Sequence, residues 1–309
     1  MKELKVNNCP ICGQDEFIFS DYLKAPAQGD WTYDCFKNKR LSTCKSCKFT
    51  FTSEFFEKGS LSKFYNTLYG RSKLSPFKAY ENYEFTMRSL SHVNFIKTNL
   101  DLKDDLNILE IGPNENGMIP SFSLYCKPNY FYYDQEDFPV LNHYGGIRLG
   151  KYFSMEAASS IKTERKMDLI VLSHSFEHLE PQYLNHDVQA MKLALKPYGY
   201  VSIEVPLESL FHPPHTQSFN TKNMSLLFEK HGFEIIATQH IESLNGDNKN
   251  EFLNNQLELS SSKIKFIKKV MSILIPRKFR LRLLKPLYER KLKALYEGLP
   301  YMRLIAQLK

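Results

Sequence analysis

A chain of 309 residues, 42% hydrophobic and 24% charged, has the composition of an ordinary folded protein and room for one large core with a smaller module beside it. Its formal net charge of +7 arises from 41 Lys and Arg against 34 Asp and Glu. No apolar signal region opens the chain and no run approaches the roughly 20 apolar residues of a membrane-spanning helix, which argues against a membrane-embedded protein and predicts a cytoplasmic one.

Four of the six cysteines form two Cys-x-x-Cys knuckles, Cys9-Pro10-Ile11-Cys12 and Cys44-Lys45-Ser46-Cys47. Two knuckles supply the four thiolates of a closed tetrahedral structural zinc site, with Zn–S distances of about 2.3 Å. A cytosolic chain has little use for disulfides, and neither pair sits in the strand–helix context of a redox motif. Residues 1–60 are therefore read as a zinc-ribbon module held by Cys9, Cys12, Cys44 and Cys47. Residues 61–104 follow as a helical linker or cap, in which Phe85, Leu90, Val93, Ile96 and Leu100 recur at helical spacing.

The apolar run Leu106–Ile111 breaks at Gly112 into a turn-rich segment ending at Gly117, the pattern of a buried strand followed by a loop where a ligand approaches backbone. The aromatic strand Tyr130–Tyr133 then closes on Asp134. An acidic residue about 20 residues past such a loop, at the end of the next parallel strand, is placed to accept both hydroxyls of a ribose. Gln135 and Glu136 are the neighbouring candidates, and the plainer alternative is that Asp134 opens a turn.

Met167–Leu172 reads as a second buried strand, and Val201–Val205 as a third. Polar residues cluster after them, Ser173-His174-Ser175-Phe176-Glu177-His178 behind the one and His212-Pro213-Pro214-His215 behind the other. Ser173 and His174 stand at the back edge of the pocket that the Gly112 loop opens. A hydroxyl that is to react in such a pocket needs a base, and histidine is poised for that near neutral pH. His178 ranks first and His215 next, with Glu177 placed to orient an imidazole or bind substrate hydroxyls. The plainer readings are a packed histidine capping a helix near Glu180-Pro181 and a solvated carboxylate at that helix start. His212 and His215 have metal-ligand spacing, but two intervening prolines bar a helix and the sequence offers no evident third ligand.

The charge is unevenly spread. Lys263–Lys293 holds twelve basic residues against Glu289 alone, interleaved with apolar ones, so the remainder of the chain is slightly acidic. Residues 262–309 are read as a basic amphipathic helical tail, suited to peripheral contact with an anionic inner membrane face through 263–293, to RNA phosphates, or to packing against the core or a second subunit.

These motifs resemble, over roughly Leu106 to Gln239, the class I S-adenosylmethionine-dependent methyltransferases, and within them the enzymes that methylate sugars and other small molecules. The family's first strand ends in an acidic residue and a glycine turn, matched by Glu110, Gly112 and, less closely, Asn114 and Gly117. Glu177-His178-Leu179 matches a signature after its fourth strand, and Leu195–Gly199 matches the turn into its fifth. The resemblance implies a Rossmann-like doubly wound α/β sheet over residues 105–261. It also implies S-adenosylmethionine binding by Glu110, Gly112, Asn114, Asp134, Gln135, Ser173 and His174. Asn114 stands where the family has a second glycine, which leaves a catalytically inactive methyltransferase-like binding protein as one alternative.

A zinc ribbon ahead of such a core resembles both sugar methyltransferases of surface-polysaccharide synthesis and a zinc-bearing ribosomal-RNA methyltransferase type. The base-stacking box of nucleic-acid amino methyltransferases is missing after the fourth strand, which disfavours nucleic acid. The expectation is therefore methyl transfer to a sugar or sugar-derived acceptor, free or lipid-linked, in capsule or O-antigen biosynthesis, with structural zinc and catalysis by His178, Glu177 and His215. The oligomeric state is left open.

Overall fold

The structure, a computed structural model, describes residues 6–21, 39–54, 56, 83–113, 117–207, 215–241 and 301–309. Asn114, His212, the Lys263–Lys293 segment and residues 61–82 of the linker lie outside the described residues.

The centre of the protein is a seven-stranded sheet. Its strands are β4 (Asn107–Ile111), β5 (Asn129–Tyr133), β6 (Ile147–Gly150), β7 (Met167–Ser173), β8 (Leu195–Pro206), β10 (Phe233–Ile241) and β11 (Tyr301–Leu308), in the order β10-β11-β8-β7-β4-β5-β6. β6, β5, β4, β7 and β8 are parallel, and β11 runs against both β8 and β10. β4 is buried along its whole length, which explains why its sequence is apolar without alternation. From β4 the chain winds outward through β5 and β6, then crosses to β7 and winds the other way. The carboxyl ends of β4 and β7 thus form the switch point where doubly wound sheets bind ligands.

Successive strand residues feed opposite faces. Leu109, Ile170 and Leu172 pack beneath α5 (Leu184–Ala194) and α6 (Thr221–Lys230), whereas Ile108, Leu169 and Val171 pack against α1 (Tyr83–Asn99), α2 (Ile119–Phe122) and α3 (Pro139–His143). α1 carries the helical periodicity expected of the linker, with Leu90, Val93 and Ile96 buried. α4 (Met155–Ser160) is short and capped by Ser154, whose side chain accepts from Ala157 N. None of the helices among the described residues is long and apolar enough to cross a membrane.

A second sheet lies on the α5/α6 side, with β1 (Phe17–Asp21), β2 (Arg40–Cys44) and β3 (Thr50–Thr52) joined by β9 (Gln217–Ser218). β9 comes from the segment linking β8 to α6, so the amino-terminal module is completed by a strand of the core. Cys9, Ile11, Cys44, Cys47, Phe49 and Phe51 share one hydrophobic cluster with Leu184, Val188, Leu227 and Phe228. The module is fused to the core across an aromatic seam, Phe49–Phe219 at 5.0 Å and Phe219–Phe176 at 5.1 Å between ring centres.

Two expectations are corrected. The 262–309 segment is not helical to its end, because Tyr301–Leu308 is inserted between β10 and β8 and buries six consecutive residues from Tyr301 to Ala306. An interior strand covered on both faces has the unbroken apolar character that a helical reading also accommodates. Nor does His178 cap a helix: Phe176–His178 and Pro181–Tyr183 are separate 3-10 turns, and α5 starts only at Leu184 with Tyr183 as its N-cap.

Candidate active site

The cofactor-side loop begins at Gly112, whose φ of +68° is a left-handed conformation that a side chain would strain. A Cβ there would also come within 2.9 Å of Ser175 Cβ. Ser175 Oγ donates to Ile111 O at 2.7 Å, so the loops after β4 and β7 are held together at the switch point. Glu110 is 1% exposed and accepts from Met118 N at 2.8 Å and from the Tyr130 hydroxyl. Burial pushes its carboxyl up to about 7 against the pull of those two donors. Glu110 thus joins Met118 to Tyr130 of β5.

Asp134 directly follows β5, and its side chain accepts from Glu136 N at 3.3 Å. Arg148 Nε and Nη2 donate to Asp134 O at 3.1 and 2.8 Å, and Nη2 also donates to Gln135 O, which fixes this corner through its backbone. Gln135 Oε1 is buried with no hydrogen-bond partner among the described residues, a polar atom suited to a ligand. Gly112, Asp134 and Gln135 therefore stand along the carboxyl edge of β4 and β5, with Gly112 N donating to Tyr133 O at 2.9 Å.

Beyond the switch point the chemistry changes from backbone to ionisable side chains. Glu177 is 2% exposed, and its Oε1 is faced by His174 Nδ1 at 3.6 Å, His178 Nε2 at 3.8 Å and His215 Nε2 at 3.9 Å. Burial alone would raise this carboxyl, but His174, His178 and His215 outweigh it and hold it at about 2. The ring centres of His178 and His215 are 4.9 Å apart, edge to face. His174 sits at φ +54°, a strained backbone of the kind that gathers at functional sites. Its Nε2 approaches Glu204 Oε1 at 3.1 Å.

Glu204 is fully buried on β8 and pairs with Arg303 of β11, Nε to Oε2 at 2.5 Å. Burial pushes the Glu204 carboxyl up, and the Arg303 guanidinium more than reverses this, holding it well below the usual carboxylate range. Arg303 also donates to Gln239 Oε1 at 2.8 Å and to Ser91 Oγ at 2.9 Å, tying α1, β8, β10 and β11 together.

The amino-terminal module ends at this cluster. Thr52 N donates to Thr216 O at 2.9 Å, and Thr216 N donates to Glu177 O at 3.0 Å, so β3 fixes the residue beside His215 and the backbone of Glu177. At the other end of the module the sulfurs of Cys9, Cys12, Cys44 and Cys47 lie within 4.8 Å of one another, with Cys9–Cys47 and Cys12–Cys44 each at 3.5 Å. Tetrahedral Zn–S bonds of about 2.3 Å put sulfurs about 3.8 Å apart, so the four thiols fit that ion. The knuckle is tied to the core by Asn185 Nδ2 and Lys230 Nζ, which donate to Pro10 O at 2.9 and 3.2 Å.

A doubly wound sheet with a glycine turn, an acidic residue closing the second strand and ionisable groups across the switch point is a methyltransferase arrangement, and the profile of the methyltransferase domain matches residues 84–245, just over half the chain. The chain belongs to the methyltransferase-domain family. Among solved structures, the chain is similar to the Burkholderia thailandensis 1,6-didemethyltoxoflavin-N1-methyltransferase at 11% identity and a TM-score of 0.51, over 94% of this chain and 100% of that one. That structure holds S-adenosylhomocysteine and 1,6-didemethyltoxoflavin. The Haemonchus contortus phosphoethanolamine N-methyltransferase 2 is 13% identical over 84% of this chain and 62% of its own, with a TM-score of 0.48. An Archaeoglobus fulgidus S-adenosylmethionine-dependent methyltransferase is 16% identical over 73% and 100%, at 0.44. No curated protein matches.

The sequence reading of an S-adenosylmethionine-dependent methyltransferase is thus borne out as an enzyme class. Within this methyltransferase, Gly112, Asp134 and Gln135 gather on the β4–β5 side of the switch point and His174, Glu177, His178 and His215 on the β7 side. Ser173 Oγ lies 3.4 Å from Glu204 Oε1, between the two. Sequence reasoning missed Ser175, Glu204 and Arg303. The signal for the last two was present: a lone acidic residue in Val201–Val205 and a lone basic one in Tyr301–Leu308, each inside an apolar strand, are complementary.

Proposed function

We propose that this enzyme methylates a hydroxyl of a sugar or sugar-derived small molecule, in the synthesis of a surface glycan such as capsule or O-antigen. The observation that carries the reading is Glu177: a buried, ionised carboxylate faced by three imidazoles is an acid–base centre, which a hydroxyl acceptor needs because a neutral alcohol is a poor nucleophile. His178 takes the acceptor's proton, Glu177 orients its ring, and His215 completes the polar wall against which a hydroxyl-rich acceptor binds.

Asp134 and Gln135 hold the nucleoside end of the cofactor, and Gly112 lets the loop after β4 pack against Ser175, where a Cβ would force the two loops apart. When bound, S-adenosylmethionine supplies an electrophilic methyl group on sulfonium. Ser173 and His174 line the boundary between cofactor and acceptor. A structural zinc ion on Cys9, Cys12, Cys44 and Cys47 locks the module whose β3 positions Thr216, and elemental analysis then finds one thiolate-bound zinc per chain.

Methyl transfer from labelled S-adenosylmethionine to nucleotide-linked sugars, compared with ribosomal RNA, tests the acceptor class. Label in RNA and none in sugar would overturn it. His178→Ala is expected to lower turnover by roughly 10²–10⁴-fold with cofactor affinity retained, since a base acts in the chemical step. Turnover at the native rate would remove His178 from the chemistry.

A further inference from the structure

The His212–His215 spacing suggested a metal pair without a third ligand, and the fold provides a different set. One ligand atom each from Glu177, His178 and His215 lies within 4.8 Å of the others. Both oxygens of Glu177 are buried and neither has a hydrogen-bond partner among the described residues. The three imidazoles face it only at 3.6–3.9 Å, too long for hydrogen bonds, and a cation drawn between carboxylate and imidazoles would meet both with direct bonds.

Resting on the acceptor-site reading above, we propose that Glu177, His178 and His215 form a second metal site, for a divalent transition cation such as Zn2+, Co2+ or Fe2+. Two imidazoles and one carboxylate with an open position suit such ions, whereas Mg2+ and Ca2+ call for oxygen ligands. The nitrogens stand 3.8 and 3.9 Å from Glu177 Oε1, and bonds of about 2.0–2.2 Å would draw ligands to about 3–3.5 Å, a contraction of about half an ångström.

The supports for these ligands are already in place. Thr216 binds the Glu177 carbonyl through N at 3.0 Å and Oγ1 at 3.3 Å, which joins the segment carrying His215 to the one carrying Glu177. His178 N donates to Ser175 O at 3.2 Å, and His174 stands behind the carboxylate, itself held by Glu204. Such outer partners orient ligands before the metal arrives. A cation on His178 Nε2 occupies the lone pair that would take a proton, so metal and proton compete at this atom. The site is therefore a control point on methyl transfer, chemically distinct from the four thiolates.

The test is equilibrium dialysis of the full-length, zinc-loaded chain against Co2+, with elemental analysis and visible absorption. Wild type is expected to take up one further equivalent, giving weak d–d bands without thiolate charge transfer, and Mg2+ is not expected to compete. Glu177→Gln and His215→Ala are expected to lose that equivalent while keeping the thiolate-bound zinc and native S-adenosylmethionine affinity, which also reports that each variant is folded. No further equivalent in wild type, or its persistence in both variants, would overturn the proposal. Uptake with a fully active His178→Ala would instead sink the acceptor-site reading and leave the metal site standing. No uptake with a slow His178→Ala would do the reverse.

Discussion

The two ends of the active-site edge are built by different means. At the cofactor end, Gly112 and Asp134 follow directly on their strands, and backbone groups and a single glycine do most of the shaping. At the proposed acceptor end, Glu177 and His178 follow β7 and His215 precedes β9, with Thr216 bonded both to Thr52 of the amino-terminal module and to the Glu177 carbonyl. Behind them Glu204 needs Arg303, 99 residues away in the chain. The cofactor end is thus a local device of one sheet. The proposed acceptor end is a convergence of distant segments.

Perturbations should separate the two ends. The largest effect on folding is expected from Arg303→Leu, which strands the buried Glu204 carboxylate and should cost about 3–5 kcal/mol in denaturant unfolding. Loss near zero would mean that β11 does not carry the core pairing described. Cys9→Ser comes next: it should abolish zinc binding and cut turnover, because β3 and β9 position Thr216, while S-adenosylmethionine still binds. Equal loss of cofactor affinity would show that the module serves both ends. Gly112→Ala should cost about 1–2 kcal/mol from its left-handed backbone and weaken cofactor binding through the displaced loop, measurable by thermal unfolding and titration.

A separate effect concerns pH. Glu110 is raised in the fold to about 7 from an ordinary 4.5, so the folded state holds its proton more tightly than the unfolded chain. Its contribution is fully present below pH 4.5 and is lost as pH rises toward 7. Glu110→Gln should flatten stability over that window. Glu177 has the opposite sign: lowered to about 2, it contributes stability above pH 4.5 that disappears as pH falls toward 2. A Glu110→Gln protein with the native slope would place the titration elsewhere.

The contrast also explains what could be read from the chain. Gly112 and Asp134 were legible because each ends an apolar run, and the spacing between them is fixed by one strand–helix–strand unit. The cysteine knuckles were legible because short-range spacing brings each pair together. Glu204 and Arg303 were not, since each looks like an isolated charge until the strands are placed side by side. Tyr301–Leu308 was absorbed into a basic helical tail because the twelve basic residues of Lys263–Lys293 dominate the composition there, and an eight-residue apolar run does not announce its period. The joining of β3 to β9 had no sequence signal: a two-residue strand is defined by its partner.

The division of labour between the two ends is tested most directly by calorimetric titration of S-adenosylmethionine into the full-length protein, its Asp134→Ala variant and its Glu177→Gln variant. One saturable site is expected in the wild type, weakened in Asp134→Ala by about 1–3 kcal/mol through lost charge-assisted hydrogen bonds and unchanged in Glu177→Gln. No binding to wild type, or a loss in Glu177→Gln as large as that in Asp134→Ala, would contradict the assignment of cofactor and acceptor to opposite ends of the sheet edge.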